Sequence, residues 1–237
     1  GQRGDHIILS CQITLEEAAS GCEKEVSYMH KITCSDCSGN GGTFAMCEHC
    51  KGSGYEELQG GHMRVMRPCS VCGGMRQAIS EKCDKCGGTG TKGSINEIKK
   101  ISIPAGVHHG MSMKFHGNGN PGQFGGESGH LVINIIIEPH KLFKRNDNDL
   151  YYELPVTYTQ LVFGCSLEVP SLNNVLNLKI PPGTQAFAKF RMRNEGMPIL
   201  RKSVKGDLYV VAKLEIPTDL TEETKELLEK LAEIETK

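Results

Sequence analysis

Eight cysteines in the first half of the chain have the spacing that metal-binding proteins use. They form four copies of Cys-x-x-Cys-x-Gly-x-Gly, of which the third lacks its last glycine. A Cys-x-x-Cys turn places two thiolates on one side of a tight loop, and two such turns complete a tetrahedral sulfur site for Zn²⁺. The glycines allow positive φ angles and leave room for backbone amides to face the sulfurs. Four turns therefore predict two closed Cys₄ sites. The pairs are Cys34/Cys37, Cys47/Cys50, Cys69/Cys72 and Cys83/Cys86.

Disulfide bonds and redox-active dithiols are the other uses of paired cysteines. The chain has no Asn-x-Ser/Thr sequon, and its first residues do not resemble a signal peptide. A disulfide-stabilised secreted scaffold is therefore disfavoured. A thioredoxin-like Cys-x-x-Cys belongs in a βαβ context, which these glycine-rich turns lack. Structural zinc is the favoured interpretation.

Composition narrows the classes of partner and activity. The 237 residues carry a net charge of −1, with the basic residues scattered, so nucleic acid is not the expected partner. No apolar stretch is long enough to cross a bilayer, and we expect no membrane partner and a cytoplasmic or organelle-matrix location. No Ser/His/Asp arrangement, carboxylate pair or phosphate loop occurs, so we predict that the chain is not an enzyme.

The elements around the cysteines repeat. A shift of 143 residues places the segment from Thr14 to Val26 on residues 157–169, and a shift of 77 places residues 103–131 on 180–208. The sequence thus predicts two copies of one unit. The shifts differ by 66 residues, which lie between Val26 and Ile103 of the first copy. This is where the cysteines are, so we predict that the metal-binding region is inserted into the first unit.

Each unit contains short alternating stretches separated by Gly/Pro turns, which predict strands. We expect a mostly β protein of two related small antiparallel sandwiches or open barrels, with a Cys-rich zinc module and a C-terminal amphipathic helix. The predicted domains are a discontinuous first β domain (1–33 plus 91–145), the zinc module (34–90), the second β domain (146–217) and the helix (218–237).

The C-terminal segment has the pattern of an amphipathic helix. Thr221 is a candidate N-cap, and acidic residues follow it in the first turn. An apolar stripe runs along one side of the segment. Such a stripe either packs on its own domain or forms a dimer, and the sequence leaves both open. The stripe is Leu227, Leu228, Leu231 and Ile234.

Four such repeats inserted in the first of two related β units resemble the C-terminal part of class A DnaJ-type co-chaperones. The segments LEEAASG, HKLFKRNDNDL, IPPGTQ, FRMRNEGMP and GDLYV are similar to segments of that family, and the resemblance covers essentially the whole chain. Arg76 departs from the pattern at the last glycine of the third repeat. No His-Pro-Asp and no Gly/Phe-rich linker occur, so the resemblance implies that this chain lacks the J domain and does not by itself activate a DnaK-type ATPase.

The resemblance also implies how the cysteines share two Zn²⁺ ions per chain. Turns 1 and 4 hold one ion and turns 2 and 3 the other, as in an antiparallel hairpin of turns. The implied ligands are Cys34, Cys37, Cys83 and Cys86 for the first ion and Cys47, Cys50, Cys69 and Cys72 for the second.

The implied function is that of an ATP-independent chaperone module, which binds apolar segments of unfolded clients by strand addition and delivers them to a DnaK-type chaperone. The competing function is a thiol–disulfide oxidoreductase that uses the Cys-x-x-Cys pairs. The resemblance also implies a homodimer through Leu227, Leu231 and Ile234. In the family the client groove lies on the first β domain, and the candidate groove residues are Cys11, Val26, Tyr28, Ile135 and Leu167. The alternative for each is that it simply fills the core.

Overall fold

A computed structural model of the chain describes residues 1–60 and 63–235. The predicted zinc module and C-terminal helix extend over residues 61, 62, 236 and 237, which lie outside that description. The helices are α1 (Leu15–Ser20), α2 (Tyr158–Phe163) and α3 (Glu222–Glu235). The strands are β1 (Ile7–Ile13), β2 (Cys22–Thr33), β3 (Gly42–Met46), β4 (Tyr55–Gly60), β5 (Met63–Pro68), β6 (Gln77–Lys82), β7 (Thr91–Ile103), β8 (Ser112–Phe115), β9 (Leu131–Ile137), β10 (Phe143–Asn146), β11 (Asp149–Val156), β12 (Cys165–Pro170), β13 (Val175–Ile180), β14 (Lys189–Met192) and β15 (Leu208–Leu214).

The first β unit combines a three-stranded sheet, in the order β1-β9-β8, with the long antiparallel pair β2-β7. Strand β1 alternates between exposed and more buried residues, as its sequence predicts. Its most buried residue, Ile13, lies in the core together with the fully buried Ile133 and Ile135 of the paired strand β9. Burial of these aliphatic side chains supplies most of the unit's stability.

The second β unit repeats the first in its pairing registers, so the predicted duplication is confirmed. Pairing of β1 with β9 matches Ile7 to Leu131, and pairing of β11 with β15 matches Leu150 to Leu208. These partners are related by the predicted shifts of 143 and 77. The β2-β7 and β12-β13 pairs agree in the same way, and so do β8-β9 and β14-β15.

The insertion also lies where the sequence places it. In the second unit, β12 and β13 form a hairpin closed by residues 171–174. In the first unit, β2 and β7 continue past the equivalent point as far as the pair formed by Thr33 and Thr91. Beyond this pair come two nested antiparallel pairs, β3-β6 and β4-β5. The region is therefore a hairpin that folds back on itself, as the resemblance implies.

The mostly β class is confirmed, but the expectation of antiparallel pairing throughout the units is wrong. Strands β1 and β9 are parallel, and so are β11 and β15. Alternation of apolar residues sets which face of a strand is buried and carries no information on strand direction. Among the described strands, the sheets stay open and close no barrel.

Contacts divide the chain into two compact units that differ from the predicted domain boundaries. The first comprises Gly1–Ile13, Cys22–Ile103 and Val107–Glu138, and the second comprises Thr14–Gly21, Pro104–Gly106 and Pro139–Lys237. The zinc module thus groups with the first unit, and α1 groups with the second. The four predicted domains remain a prediction.

Helices α1 and α2 begin in the same way because each follows a capping box. The Thr14 hydroxyl accepts a hydrogen bond from the Glu17 amide, and the Glu17 carboxylate accepts one from the Thr14 amide. Thr157 and Gln160 form the same pair of bonds at α2. Thr221 caps α3 as predicted, since its hydroxyl accepts a hydrogen bond from the Thr224 amide.

Candidate metal centre

The eight cysteines of the repeats come together in two groups of four. In each group, the four sulfur atoms lie within 4.8 Å of one another. The sulfurs of the second group are all buried, whereas in the first group Cys34 alone is fully buried. The groups have the composition implied by the family resemblance. They are Cys34, Cys37, Cys83 and Cys86, and Cys47, Cys50, Cys69 and Cys72.

Reciprocal backbone hydrogen bonds explain why the first turn pairs with the fourth. The amide of Cys34 donates to the carbonyl of Gly90, and the amide of Cys83 donates to the carbonyl of Gly41. Each turn thus binds the end of the other turn, and the β3-β6 pair between them holds the register.

The second and third turns use the same exchange. Cys47 donates to Arg76, and Cys69 donates to Gly54. The β4-β5 pair between them brings these two turns together. Nesting of one hairpin inside the other therefore produces two sulfur clusters from four consecutive turns.

In the first, second and fourth repeats, the last residue turns the chain so that its amide faces a sulfur. The amides of Gly41, Gly54 and Gly90 lie 3.2, 3.3 and 3.3 Å from the sulfurs of Cys37, Cys50 and Cys86. The φ angle of Gly90 is 74°, which a glycine adopts without steric cost. Arg76 occupies the same position of the third repeat with a φ of 66°. The departure from the repeat pattern therefore leaves the turn in its left-handed conformation.

The separations between sulfurs fit a tetrahedral zinc site. A Zn–S bond of about 2.3 Å in tetrahedral geometry places the sulfurs about 3.8 Å apart. The observed separations are 4.0 and 3.7 Å in the first group and 4.0 and 3.7 Å in the second. A disulfide would require about 2.05 Å. Four thiols at this spacing are the donor set that Zn²⁺ prefers.

Backbone amides favour the thiolate form at the second cysteine of two turns. Burial raises the pKa of Cys50, but hydrogen bonds from the Gly54 amide and from neighbouring thiols lower it to about 6. Burial likewise raises the pKa of Cys86, but hydrogen bonds from the amides of Gly90 and Gly88 lower it to about 7. Because the thiolate is the form that binds metal, these amides prepare the site for a cation.

The pKa values of the first cysteines of these two turns, Cys47 and Cys83, are raised instead of lowered. At Cys47 the hydrogen bond from the Cys50 amide lowers the pKa, but burial and the proton shared with neighbouring thiols outweigh it and raise the pKa to about 11. Burial is the main cause at Cys83, whose pKa also rises to about 11.

A carboxylate supports each cluster, and neither carboxylate is evident from the repeat pattern. Glu56 accepts hydrogen bonds from the Arg67 guanidinium and from the Ser70 hydroxyl at 3.0 Å, and its carboxylate lies 2.9 Å from His49. Hydrogen bonds from His49 and then Arg67 lower the pKa of Glu56 to about 2. Beside the first cluster, Asp36 pairs with Lys92 at 2.5 Å. The register of the β4-β5 hairpin makes Glu56 and Arg67 partners, and the sequence alone does not reveal that register.

His49 lies next to the second cluster and pairs with Glu56. Its ring nitrogen, an oxygen of Glu56 and the sulfur of Cys69 lie within 4.8 Å of one another. Cys69 already belongs to the group of four sulfurs, and the His49 side chain is half exposed. Its contact with Glu56 links the second turn to strand β4.

The candidate groove residues lie in different surroundings. Cys11 and Ile135 are partners in the β1-β9 pair, and both are buried. Val26 and Tyr28 lie on one face of β2, where Val26 is half-buried. Tyr28 is buried and lines a cavity of about 300 Å³ with His30 and other polar residues. Burial, and then the neighbouring Glu97 carboxylate, raise the pKa of Tyr28 to about 12.

Leu167 belongs to the second unit and is half-buried on β12 opposite Leu178. It therefore lies outside the β domain to which the resemblance assigns the groove. The role of all five candidate residues in client binding remains a prediction.

The apolar stripe of α3 is largely exposed. Leu227 and Ile234 expose 62% and 71% of their surface, and Leu231 is half-buried. Within the described part of the chain, no helix combines the length and apolar character that a membrane crossing requires.

Comparison with known proteins agrees with this architecture. The family model for the DnaJ C terminal domain matches residues 7–217. Similar curated proteins include the chaperone protein DnaJ of Acetivibrio thermocellus, 37% identical over 98% of this chain and 62% of its own length. The DnaJ proteins of Desulfitobacterium hafniense and Vesicomyosocius okutanii are 38% and 37% identical, and the matches cover 98% and 97% of this chain and 63% and 64% of their lengths. The chain thus spans about three-fifths of the length of these relatives. It belongs to the DnaJ C-terminal domain family.

Proposed function

We propose that this chain is the zinc-binding and client-binding part of a DnaJ-type chaperone. The observation that carries the proposal is the pair of nested Cys₄ clusters on an extension of the first of two duplicated β units. The family match supports the same function. Each cluster binds one Zn²⁺ through the four cysteines that the structure groups, and the metal contributes folding free energy to the module.

Clients bind on the first β unit by strand addition. Strand β2 has β7 as its one partner among the described strands, so its other edge presents backbone groups to a client segment. The half-buried Val26 lies on this strand and offers an apolar contact to a large aliphatic side chain. Backbone hydrogen bonds provide affinity that tolerates many client sequences.

Replacement of Val26 by Asp tests the client site. We expect Val26→Asp to weaken binding of an unfolded apolar peptide at least about tenfold, because a charge opposes burial of an apolar side chain. Ser27→Asp is the matched control, since Ser27 is the next residue and is exposed. Fluorescence anisotropy with a labelled peptide measures both affinities, and thermal unfolding verifies the fold. Equal affinities for the two variants would locate the groove elsewhere.

Delivery to a DnaK-type chaperone and formation of a homodimer complete the proposed function. Chaperone names of the relatives support the former, and the exposed stripe of α3 supports the latter. In this function the chain holds clients without ATP and performs no chemical step.

Native mass spectrometry separates the chaperone function from thiol–disulfide exchange. We expect two zinc ions per chain, because eight sulfurs form two tetrahedral sets. A metal-free chain that is two protons lighter for each disulfide would instead support the thiol–disulfide oxidoreductase. The burial of all four sulfurs in the second cluster disfavours that activity, since a redox cysteine must reach its substrate.

A further inference from the structure

A trough of about 830 Å³ crosses the second unit on its four-stranded sheet, in the strand order β10-β11-β15-β14. We call it the lysine trough. Its volume is within the range of about 300–1,000 Å³ that ligand-binding sites have. Exposed apolar side chains and lysines share its rim. The rim residues that matter here are Lys141, Leu142, Lys144, Phe187, Lys189 and Lys213.

The trough carries an excess of positive charge. Four lysines and a single acidic residue, Glu153, line it, which gives a net charge of 4 − 1 = +3. Glu153 bonds Lys144 at 2.8 Å and Lys213 at 2.9 Å. Lys141 and Lys189 form no ion pair with a described residue. Two ammonium groups are therefore available to an anionic ligand, in a chain whose overall charge is −1.

The first unit shows that the fold does not require these charges. The shifts of 143 and 77 relate Glu153 to Ser10, Lys189 to Ser112 and Lys213 to Ile136. The equivalent face of the first unit thus has the same strands and pairing but no charge at these positions. The lysines are a property of the second unit's surface rather than of the duplicated architecture.

Phe187 adds a second and independent observation. Its φ angle is 64°, which is costly for a residue with a Cβ atom, and it exposes 67% of its surface. The equivalent residue of the first unit is Gly110, with a φ of 79°. Both amides donate to the matching strand, to Ala212 at 2.7 Å and to Ile135 at 2.8 Å. A glycine is therefore sufficient for the turn, and the phenylalanine places an aromatic ring at the rim.

We propose that the lysine trough binds an extended acidic segment of a partner polypeptide, with a large apolar side chain between its carboxylates. The lysines provide charge-assisted hydrogen bonds to the carboxylates. Phe187 and Leu142, which is 51% exposed, contact the apolar side chain. The ligand differs in charge from the apolar clients proposed for the first unit, so this site acts beside the proposed function and does not depend on it.

Fluorescence anisotropy of the full chain with a labelled ten-residue peptide tests the proposal. The probe carries Glu and Asp residues around a Leu-Phe pair, and a second probe has Gln and Asn in place of the acids. We expect micromolar affinity for the acidic probe at low salt and roughly tenfold weaker binding at 500 mM NaCl, because salt screens exposed charges. The neutral probe should bind at least about tenfold less tightly for the same reason.

The test variants replace trough residues with the residue types found at the equivalent positions of the first unit, Gly110 and Ser112. Phe187→Gly and Lys189→Ser should each weaken binding of the acidic probe roughly five- to tenfold. Phe187→Gly should retain or raise the unfolding temperature, because glycine tolerates the positive φ. Lys179→Ser and Phe163→Ala are matched controls, since they remove an exposed lysine and an exposed phenylalanine of the same unit that do not line the trough. Both should bind the probe like the unaltered chain.

Three results would overturn the proposal. The first is equal affinity for the acidic and neutral probes, or for the trough variants and their controls. The second is tighter binding of a single-stranded oligonucleotide of equal charge, which would make the trough a polyanion site. The third is a difference in sedimentation coefficient between the trough variants and the unaltered chain when no peptide is present. This result would make the trough an interface between copies of this chain.

Discussion

At the scale of single residues, the last position of each repeat determines how closely two turns approach. A Cβ atom on Gly90 would lie 2.4 Å from the carbonyl oxygen of Gly39, and one on Gly41 would lie 2.4 Å from that of Gly88. The second cluster is less crowded, because a Cβ atom on Gly54 would lie 3.0 Å from the Gly74 oxygen. This difference explains why Arg76 is accommodated at a position where the first cluster requires glycine.

Exchange of these residues gives opposite results at the two clusters. We expect Gly90→Arg to reduce zinc content from two ions to one, because the clash separates the first and fourth turns. Arg76→Gly should keep both ions and stabilise the fold by about 1 kcal/mol, since glycine tolerates positive φ. Native mass spectrometry and chemical denaturation measure the two effects. Two ions bound to Gly90→Arg would show that the close approach is not required.

His130 gives the first unit a pH-dependent stability. Burial, then the positive charges of Arg3, Lys114, His116 and His6, lower its pKa. The unfolded chain, with a pKa of about 6.5, therefore binds a proton at a higher pH than the folded chain does. This contribution is complete above about pH 6.5 and is lost as the pH falls below that value.

The measurement is the unfolding temperature between pH 7.5 and 5. We expect His130→Gln to flatten this profile, because Gln does not titrate and its amide can still accept a hydrogen bond from the Gly117 amide or the Arg3 guanidinium. His109→Gln is the control, since His109 is exposed. Parallel profiles for the unaltered chain and His130→Gln would assign the pH dependence to other groups, such as the cysteines.

Residue spacing alone reveals the eight cysteines but not the groups that support them. A Cys-x-x-Cys turn is local, so the sequence contains it in full. The contact of Glu56 with Arg67 depends on a hairpin register, and the burial of Tyr28 depends on a loop 90 residues further along the chain. The sequence likewise gives no sign that Phe187 adopts a positive φ angle, which only the structure shows.

At the scale of elements, the duplication makes the strand registers predictable, although the sequence of a single strand does not reveal its register. Two copies with fixed shifts of 143 and 77 must pair equivalent residues, and the three strand pairings that both units share do so. The direction of β1 relative to β9 was not predictable, because an alternating pattern such as that of Ile7 to Ile13 is the same in parallel and antiparallel pairs.

The zinc module is the element whose stability depends most directly on metal. Its described buried cluster consists of Cys47, Cys50, Cys69 and Cys72 with the partly buried Ala78, so aliphatic burial contributes little there. The β units, by contrast, bury aliphatic residues such as Ile133 and Val210. Removal of metal should therefore unfold the module and leave both β cores folded.

Hydrogen exchange after treatment with a zinc chelator measures this difference. We expect fast exchange in β3 and β6 and retained protection in β9 and β15. Restored protection on addition of zinc is the control for irreversible damage. Protection of β3 and β6 that persists without metal would show that the hairpin hydrogen bonds suffice, and uniform loss of protection would show that the chain unfolds as one unit.

At the scale of the whole molecule, α3 is the element that most needs a partner. From Glu222 to Ile234, every residue except Leu231 is exposed. Isolated helices of about 12–15 residues are marginal in water, and α3 has 14 residues. A partner that covers the apolar stripe would supply the missing burial. A second copy of the chain can supply an identical stripe, which suits the self-complementary interface of a two-fold dimer.

Replacement of the stripe tests this arrangement. We expect Leu227→Ser combined with Ile234→Ser to convert a dimer into a monomer in sedimentation experiments, because an interface built on the stripe would lose two of the apolar side chains that it buries. Glu226→Gln combined with Glu229→Gln is the control, since it alters exposed residues of the same helix outside the stripe. If the stripe variant sediments as the unaltered chain does, α3 is not the interface. If client affinity per chain also falls with the loss of the dimer, the two copies hold a client jointly, because linked sites raise the effective concentration of the second binding event.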